Sequence, residues 1–514
     1  HNEVSEALGI INTIPNASGT IFRRPVDMPL LDDEKWLCLR VAGDWIFYLH
    51  MIRGGKVVFS AETTNYFRRH DDSVVANVSD LSTFYTEVGF AGQTVHALYN
   101  VPDTLLEEFI KKWRTVYYNL GGKCDEEFAH SIAEEQIRGA RLLRTPNILV
   151  STMGFYPGGA EILPIRMANE LKRQGHSVLM FSAGFGQREE GVRRMLRNDI
   201  PVVETRDIEN TKHLIHDFGI EVLNSHQWYV QQYPFHVPDV FLELKAHVAS
   251  LHGMLEHGNV VATKQLKAAH ENVTTWVYTA DKNLEPFIKH GLCTKASDRF
   301  IKLPNGMEPP DIQAVPRSEI GIPDNAFVLC CVSRAIAEKG WRETIEATGM
   351  ARELSGKDIR LILVGNGPVY DELDYSGVPE FVYLAGFSEN SVGHYATADM
   401  GIMLTRFKSE SFPLTIVDCL FAGKPYISCD VGEIRNMLTK EDKIAGAVIT
   451  LDNWEIPIKQ VAEIISEYAS NPEKYTAASA IVPKLASRYR IDNVVHQYVK
   501  LFQDSVAAHK HKQT

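Results

Sequence analysis

The chain has 514 residues, of which 45% are hydrophobic and 23% charged. That length exceeds a single hydrophobic core and predicts two or three domains of an ordinary globular protein. With 53 Lys and Arg against 65 Asp and Glu, the net charge of -12 excludes a general nucleic-acid binder, which would neutralise phosphates with a basic surface.

No apolar run is long enough to cross a bilayer, and His1–Glu6 does not read as a signal peptide. The seven cysteines include no C-x-x-C pair and read as core thiols of a cytoplasmic protein. Within residues 1–80, Lys56-Val57-Val58-Phe59 reads as a strand. Residues 81–145 form a helical connector, with helices predicted over Leu105–Asn119 and Asp125–Arg144. Neither part makes a complete α/β domain.

From Asn147 onward, short apolar runs alternate with amphipathic stretches, the mark of parallel strands covered on both faces by helices. In 146–312 the strands are predicted at Asn147–Ser151, Ser177–Phe181, Glu221–Ser225, His247–Leu251, Thr275–Tyr278 and Phe300–Leu303. The pattern restarts in 313–490 with Phe327–Ser333, Arg360–Val364, Phe381–Leu384, Met400–Leu404 and Pro425–Ser428. Pro304–Pro323 is the natural linker. The reading is an α/β protein with two tandem Rossmann-like, doubly wound domains and a ligand cleft at the carboxyl ends of the strands. Residues 491–514 are read as a C-terminal helix crossing back to the N-terminal half.

The chemistry-bearing motifs follow strands. Gly154-Phe155-Tyr156-Pro157-Gly158-Gly159-Ala160-Glu161 joins the first strand to a helix over Ala160–Arg173, where Gly158 and Gly159 allow close backbone approach and the helix start favours phosphate. His226 and His252 each follow a strand. Arg334 and Lys339 share one loop, an arrangement suited to a diphosphate: a fork and a point charge. Leu303-Pro304-Asn305-Gly306 and Val364-Gly365-Asn366-Gly367-Pro368 are turns. Glu410 precedes Ser411-Phe412-Pro413-Leu414, with Pro413 expected at the first helical position, and Asp418 lies eight positions after Glu410 in an otherwise apolar helix. A carboxylate beside a helix-start anion site suits hydroxyls next to a phosphate, as in a nucleotide sugar.

From about Asn147 to Phe502 the ordered motifs G-G-A-E, P-N-G, R-x4-K-G, V-G-x-G-P and E-x7-D resemble those of retaining family 4 glycosyltransferases. The resemblance implies a GT-B fold and metal-independent sugar transfer with retention. Arg334 and Lys339 would hold the diphosphate, Glu410 and His252 the donor sugar, and Asp418 the ribose. Gly158, Gly159, Asn305, Gly365, Ser411, Phe412, Pro413 and Leu414 would shape the donor site, and His226 the acceptor side. Asp418 replaces the family's second Glu, and Ser411-Phe412-Pro413 its G-F-G.

Arg23-Arg24, Gly43-Asp44-Trp45, Tyr48-Leu49 and Tyr66-Phe67-Arg68-Arg69-His70 resemble the closing part of a family 2, GT-A glycosyltransferase, with Asp44 in the place of its general base. That resemblance implies that 1–80 is a catalytically silent remnant, and that the chain is a fragment of a two-enzyme polypeptide with an upstream glycosyltransferase domain. The expected function is transfer from a nucleotide-diphosphate sugar to a saccharide or lipid-linked acceptor in surface polysaccharide assembly, with no cofactor and no metal. The alternatives are a GT-B sugar-nucleotide epimerase or phosphorylase, or a silent binding module of a larger assembly. Arg188, Arg193, Arg194 and Arg197 read as a solvated helix face. The second reading is peripheral contact with the inner face of an anionic membrane.

Overall fold

The computed structural model describes residues 3–14, 19–23, 25, 28–55, 57–60, 62, 81–156, 159–185, 191–207, 213–241, 243–253, 263–293 and 299–513. Arg24, Tyr66–His70, Gly158 and Arg188 lie outside the described residues. The chain divides into two compact units, one made of His1–Ala249, Glu271–Thr275 and Tyr498–Thr514, the other of Ser250–His270 and Trp276–Gln497.

The N-terminal part of the first unit is helical. Helices Gly43–Met51, Leu81–Leu98, Asp103–Asn119, Asp125–Ile132 and Glu134–Ala140 enclose Leu8, Trp45, Tyr85, Phe109, Tyr117 and Phe128 in one core. The helix expected over Asp125–Arg144 is broken at Ala133, which takes φ 53°. Of the strand expected at Lys56–Phe59, Lys56 lies outside the described residues and Val57–Phe59 form no strand. Val57, Val58 and Phe59 are exposed, and among the described residues no strand offers them a ladder to pair with.

Helix Gly43–Met51 begins after Ala42, which has no side chain to cap it. The cap comes from a distance instead: buried Glu87 accepts the backbone N–H groups of Arg40 at 3.0 Å, Val41 at 2.6 Å and Ala42 at 2.9 Å. A carboxylate so placed satisfies orphan donors and complements the positive helix start. Asp44 sits inside the first turn, its carboxylate accepting the Trp45 N–H at 2.7 Å.

The first sheet comprises β1 (Ile148–Gly154), β2 (Val178–Phe185), β3 (Val202–Glu204), β4 (Val222–His226), β5 (Ala246–Leu251), β6 (Thr275–Tyr278) and β7 (Phe300–Lys302), in the order β3-β2-β1-β4-β5-β6-β7. Helix Gly159–Arg173 follows β1. The second sheet comprises β8 (Phe327–Val332), β9 (Ile359–Val364), β10 (Val382–Gly386), β11 (Met400–Met403), β12 (Tyr426–Cys429) and, after a hairpin of β13 (Thr439–Lys440) and β14 (Lys443–Ile444), β15 (Gly446–Ile449). Its order is β10-β9-β8-β11-β12-β15, and every pairing within it is parallel. Continuous apolar strands such as Phe-Val-Leu-Cys-Cys-Val sink into a core with Trp341, Tyr395 and Tyr426, so both faces are covered.

Four strands beyond the expected set, β3, β13, β14 and β15, have weak signals. β3 spans three residues, and β15 opens Gly-Ala. The β13–β14 hairpin turns through Glu441 and Asp442 at φ 50° and 63°, where Asn-Gly would advertise such a turn. The long C-terminal helix is present as Ile491–Gln513. Its start is tied to the linker by paired backbone bonds, Met307 N–H to Tyr489 O at 2.7 Å and Ile491 N–H to Met307 O at 2.9 Å.

At the base of β4, fully buried Glu221 is held by Arg144 and by Lys245 at 2.6 Å. Burial pushes its carboxyl up, but hydrogen bonds and charge from Arg144, with help from Lys245, outweigh burial and hold the carboxyl below its ordinary value. A depressed carboxylate contributes stability that is fully present above the unfolded value of 4.5 and is lost as pH falls through the lower folded value. Arg144→Met should therefore cost about 3 kcal/mol at neutral pH, the low end for a broken buried pair because Lys245 remains. Denaturant titrations at neutral and acid pH check this: the cost should shrink once Glu221 is protonated.

Candidate active site

In the second sheet the strand order reverses between β8 and β11, so the loops leaving these strands diverge and open a crevice at their carboxyl ends. Arg334 and Lys339 lie on the loop after β8, Glu410 on the loop after β11. Chain topology alone brings these distant positions together.

Lys339 ends a single turn, Ala337–Lys339, and Gly340 follows at φ 72°. A Cβ at position 340 would lie 2.0 Å from the Leu404 carbonyl oxygen, so only glycine lets the two loops meet. There Lys339 Nζ forms a hydrogen-bonded ion pair with Glu410 Oε2, the two side chains being 10% and 11% exposed. Neither charge could be buried without the other. Phe407 lies under both cations, its ring centre 5.5 Å from Lys339 Nζ and 5.7 Å from the Arg334 guanidinium carbon. Arg334 is exposed, with its donor fork open to an anion.

Ser411 is buried beside Glu410. Its Oγ accepts from Asn283 Nδ2 at 3.2 Å, and its carbonyl accepts the Glu433 N–H at 2.8 Å. Asn283 is itself fixed, its Oδ1 accepting the Ala280 N–H at 2.9 Å and the Thr279 N–H at 3.2 Å. Lys302 bridges Glu433 at 2.7 Å and Asp281 at 2.8 Å. Burial lowers the Lys302 ammonium, but these two carboxylates outweigh burial and raise it above its ordinary value. His252 and Gly253 follow β5. A Cβ on Gly253 would sit 2.6 Å from Ser411 Oγ, so the backbone there passes close against the Glu410–Ser411 loop. Desolvation pushes the half-buried His252 imidazole down to about 4, leaving it neutral at pH 7.

The remaining candidates are placed as follows. Phe412 is buried, its ring centre 5.6 Å from that of Tyr489. Pro413 is the N-cap of helix Leu414–Phe421, one residue before the first helical position expected for it, because Leu414 is the first residue in the helix. Leu414 and Asp418 on that helix are half-buried, so Asp418 is less deeply enclosed than its apolar neighbours suggest. Gly365 follows β9 and donates its N–H to Gly386 O at 2.7 Å. Asn305 is half-buried in the turn after β7. Gly159 opens the helix after β1 in the first unit. His226, also in the first unit, is buried at the end of β4 and bonds Asn224 Oδ1 at 2.9 Å.

Phe407, Asn283, Lys302 and Glu433 carry no motif, and only the folded chain brings them to Arg334, Ser411 and each other. Among the arginines read as a solvated face, Arg193 pairs with Glu204 at 2.5 Å and Arg197 with Asp199 at 2.8 Å, and they lie in and just after a short 3-10 turn, Gly191–Met195.

The family described as Glycosyl transferases group 1 matches residues 326–467, the stretch that holds Arg334, Lys339, Glu410 and Asp418. O-antigen chain mannosyltransferase C of Escherichia coli is 23% identical over 221 residues, 41% of this chain and 57% of that protein, so the match spans little more than half of the relative. Among solved structures, Anabaena Alr3699/HepE in complex with UDP superposes with a TM-score of 0.56 at 18% identity, covering 70% of this chain and 100% of that one. The glycosyltransferase from Rickettsia africae ESF-5 gives 0.56 at 13% identity, covering 70% and 99%. Sucrose-phosphate synthase from Thermosynechococcus elongatus gives 0.53 at 15% identity, covering 71% and 100%. What these structures share with this chain is the fold: two Rossmann-like parallel-sheet domains of the GT-B type.

Proposed function

We propose that the chain is a retaining hexosyltransferase that moves a sugar from a nucleotide-diphosphate donor to a saccharide or lipid-linked acceptor in surface polysaccharide assembly. The observation that carries this reading is the cluster at the β8/β11 crevice: an exposed Arg334 and a buried, Glu410-paired Lys339 on one aromatic floor. The group 1 match over the same residues and the similarity to an O-antigen mannosyltransferase support sugar transfer and its polysaccharide setting.

In this reading the bond from the donor sugar to the diphosphate breaks while a bond to an acceptor hydroxyl forms. Arg334 grips the diphosphate bidentately and Lys339 supplies a fixed positive charge, so the leaving group's growing charge meets preorganised cations. Glu410 holds Lys339 in place and presents its carboxylate to the donor sugar. His252, neutral at pH 7, offers the sugar a hydrogen bond without adding charge. Asp418 faces the ribose and His226 serves the acceptor side. Retention rests on the E-x7-D resemblance. Residues 1–80 are read as the silent GT-A remnant, and Asp44, whose carboxyl burial raises, already bonds its neighbour's N–H.

Arg334→Ala should weaken binding of the free nucleoside diphosphate by about 1.5–3 kcal/mol, and Lys339→Ala by at least as much, because each removes a charge-assisted partner. Calorimetry reads this directly, and unchanged affinity in both would remove them from the site.

Transfer should continue in EDTA, since fixed cations can stabilise the departing diphosphate. Among the described residues no group of three His, Cys, Asp or Glu is placed to hold a metal. Activity abolished by chelation and restored by magnesium or manganese would contradict the proposal.

Glu410→Gln should lower turnover on the true donor more than it lowers the unfolding midpoint, since the change keeps the shape and removes the charge. Wild-type turnover with a shifted midpoint would make the pair with Lys339 purely structural.

A further inference from the structure

The loop Thr405–Ser409, which carries Phe407 and leads into Glu410, is held from a neighbouring turn. After β15 the chain reverses through Asn453 and Trp454, closed by reciprocal backbone bonds between Asp452 and Glu455 at 2.8 and 2.9 Å. Both central residues lie in the left-handed region, Asn453 at φ 47° and Trp454 at φ 70°. Asparagine tolerates that conformation, whereas a bulky indole residue rarely adopts it without another interaction holding it there. Glycine would turn the chain with no strain at all.

The ring shows what holds it. Trp454 Nε1 donates to the Arg406 carbonyl oxygen at 2.9 Å, and the Lys408 ammonium lies 5.7 Å from the ring centre. Arg406 is itself anchored, its N–H to Glu338 O at 2.8 Å and its guanidinium to Glu343 at 2.5 Å. The indole thus grips both residues flanking Phe407, the ring that lies under Arg334 and Lys339. We propose that Trp454 is a positioning residue: the strained turn presents an indole that latches the Arg406–Lys408 loop, and through it sets Phe407 and Glu410 for the nucleotide-diphosphate donor. This inference rests on the donor-site reading above.

Two variants separate the latch from mere packing. Trp454→Phe keeps a ring and removes the N–H, and Trp454→Gly relieves the backbone and removes the latch. Trypsin under native conditions should cleave after Arg406 or Lys408 about 3- to 10-fold faster in both, the range expected for losing one net hydrogen bond. Nucleoside diphosphate affinity by calorimetry should fall over a similar range, while the unfolding midpoint of Trp454→Gly should stay within a few degrees of wild type. Cleavage and affinity both equal to wild type in Trp454→Phe would overturn the proposal, as would faster cleavage with unchanged affinity. If the wild-type chain binds no nucleoside diphosphate, the donor reading fails, and the latch is then judged by proteolysis alone.

Discussion

The ion pair between Lys339 and Glu410 is the constraint on which the second unit's site depends. The two residues come from loops on either side of a topological switch, and each would be an isolated buried charge without the other. Their pairing therefore fixes the spacing of the β8 and β11 loops. Gly340 is required because those loops touch, Phe407 on the β11 loop lies under Arg334 and Lys339 of the β8 loop, and Arg334 is left at the rim with its fork exposed. A site built this way has its positive charge in place before any ligand arrives, which is what stabilising a developing anion demands.

A second layer of polar contacts surrounds that pair. Ser411 is reached by Asn283, and Glu433 shares Lys302 with Asp281. Ser411, Asn283 and Glu433 are buried and each has a named partner, so they specify one arrangement of the loop and resist alternatives. Burial also holds the His252 imidazole down at about 4, and so neutral at pH 7.

Much of the architecture was legible in the sequence because parallel strands buried on both faces are nearly pure apolar runs, and glycine or proline punctuates the loops between them. Thr275–Tyr278 needed no adjustment, and most other strands shifted by one or two residues at an end. The misses have physical causes. Val57-Val58-Phe59 has strand composition, but composition cannot form a ladder without a partner. Ala133 takes a left-handed conformation inside a helical pattern, which no local residue announces. At the candidate site, Arg334, Lys339 and Glu410 stood out in the sequence by their resemblance to the R-x4-K-G and E-x7-E motifs, and the fold brings them together. Phe407, Asn283 and Trp454 did not stand out, because an aromatic, an amide and an indole acquire their roles only from what the fold sets against them.

The cap that Glu87 places on helix Gly43–Met51 bears on where this chain can be cut. Residues before and after position 80 contribute to one core, with Trp45 and Leu49 from one side and Tyr85, Phe109 and Phe128 from the other. The N-cap residue Ala42 and Val41 before it, in the earlier part, donate their N–H groups to Glu87 of the later part. A boundary drawn at 80, where the N-terminal segment is expected to give way to a helical connector, passes through the middle of one hydrophobic core. An expression fragment that begins just after it would expose half a core, and one that ends there would leave a helix start uncapped.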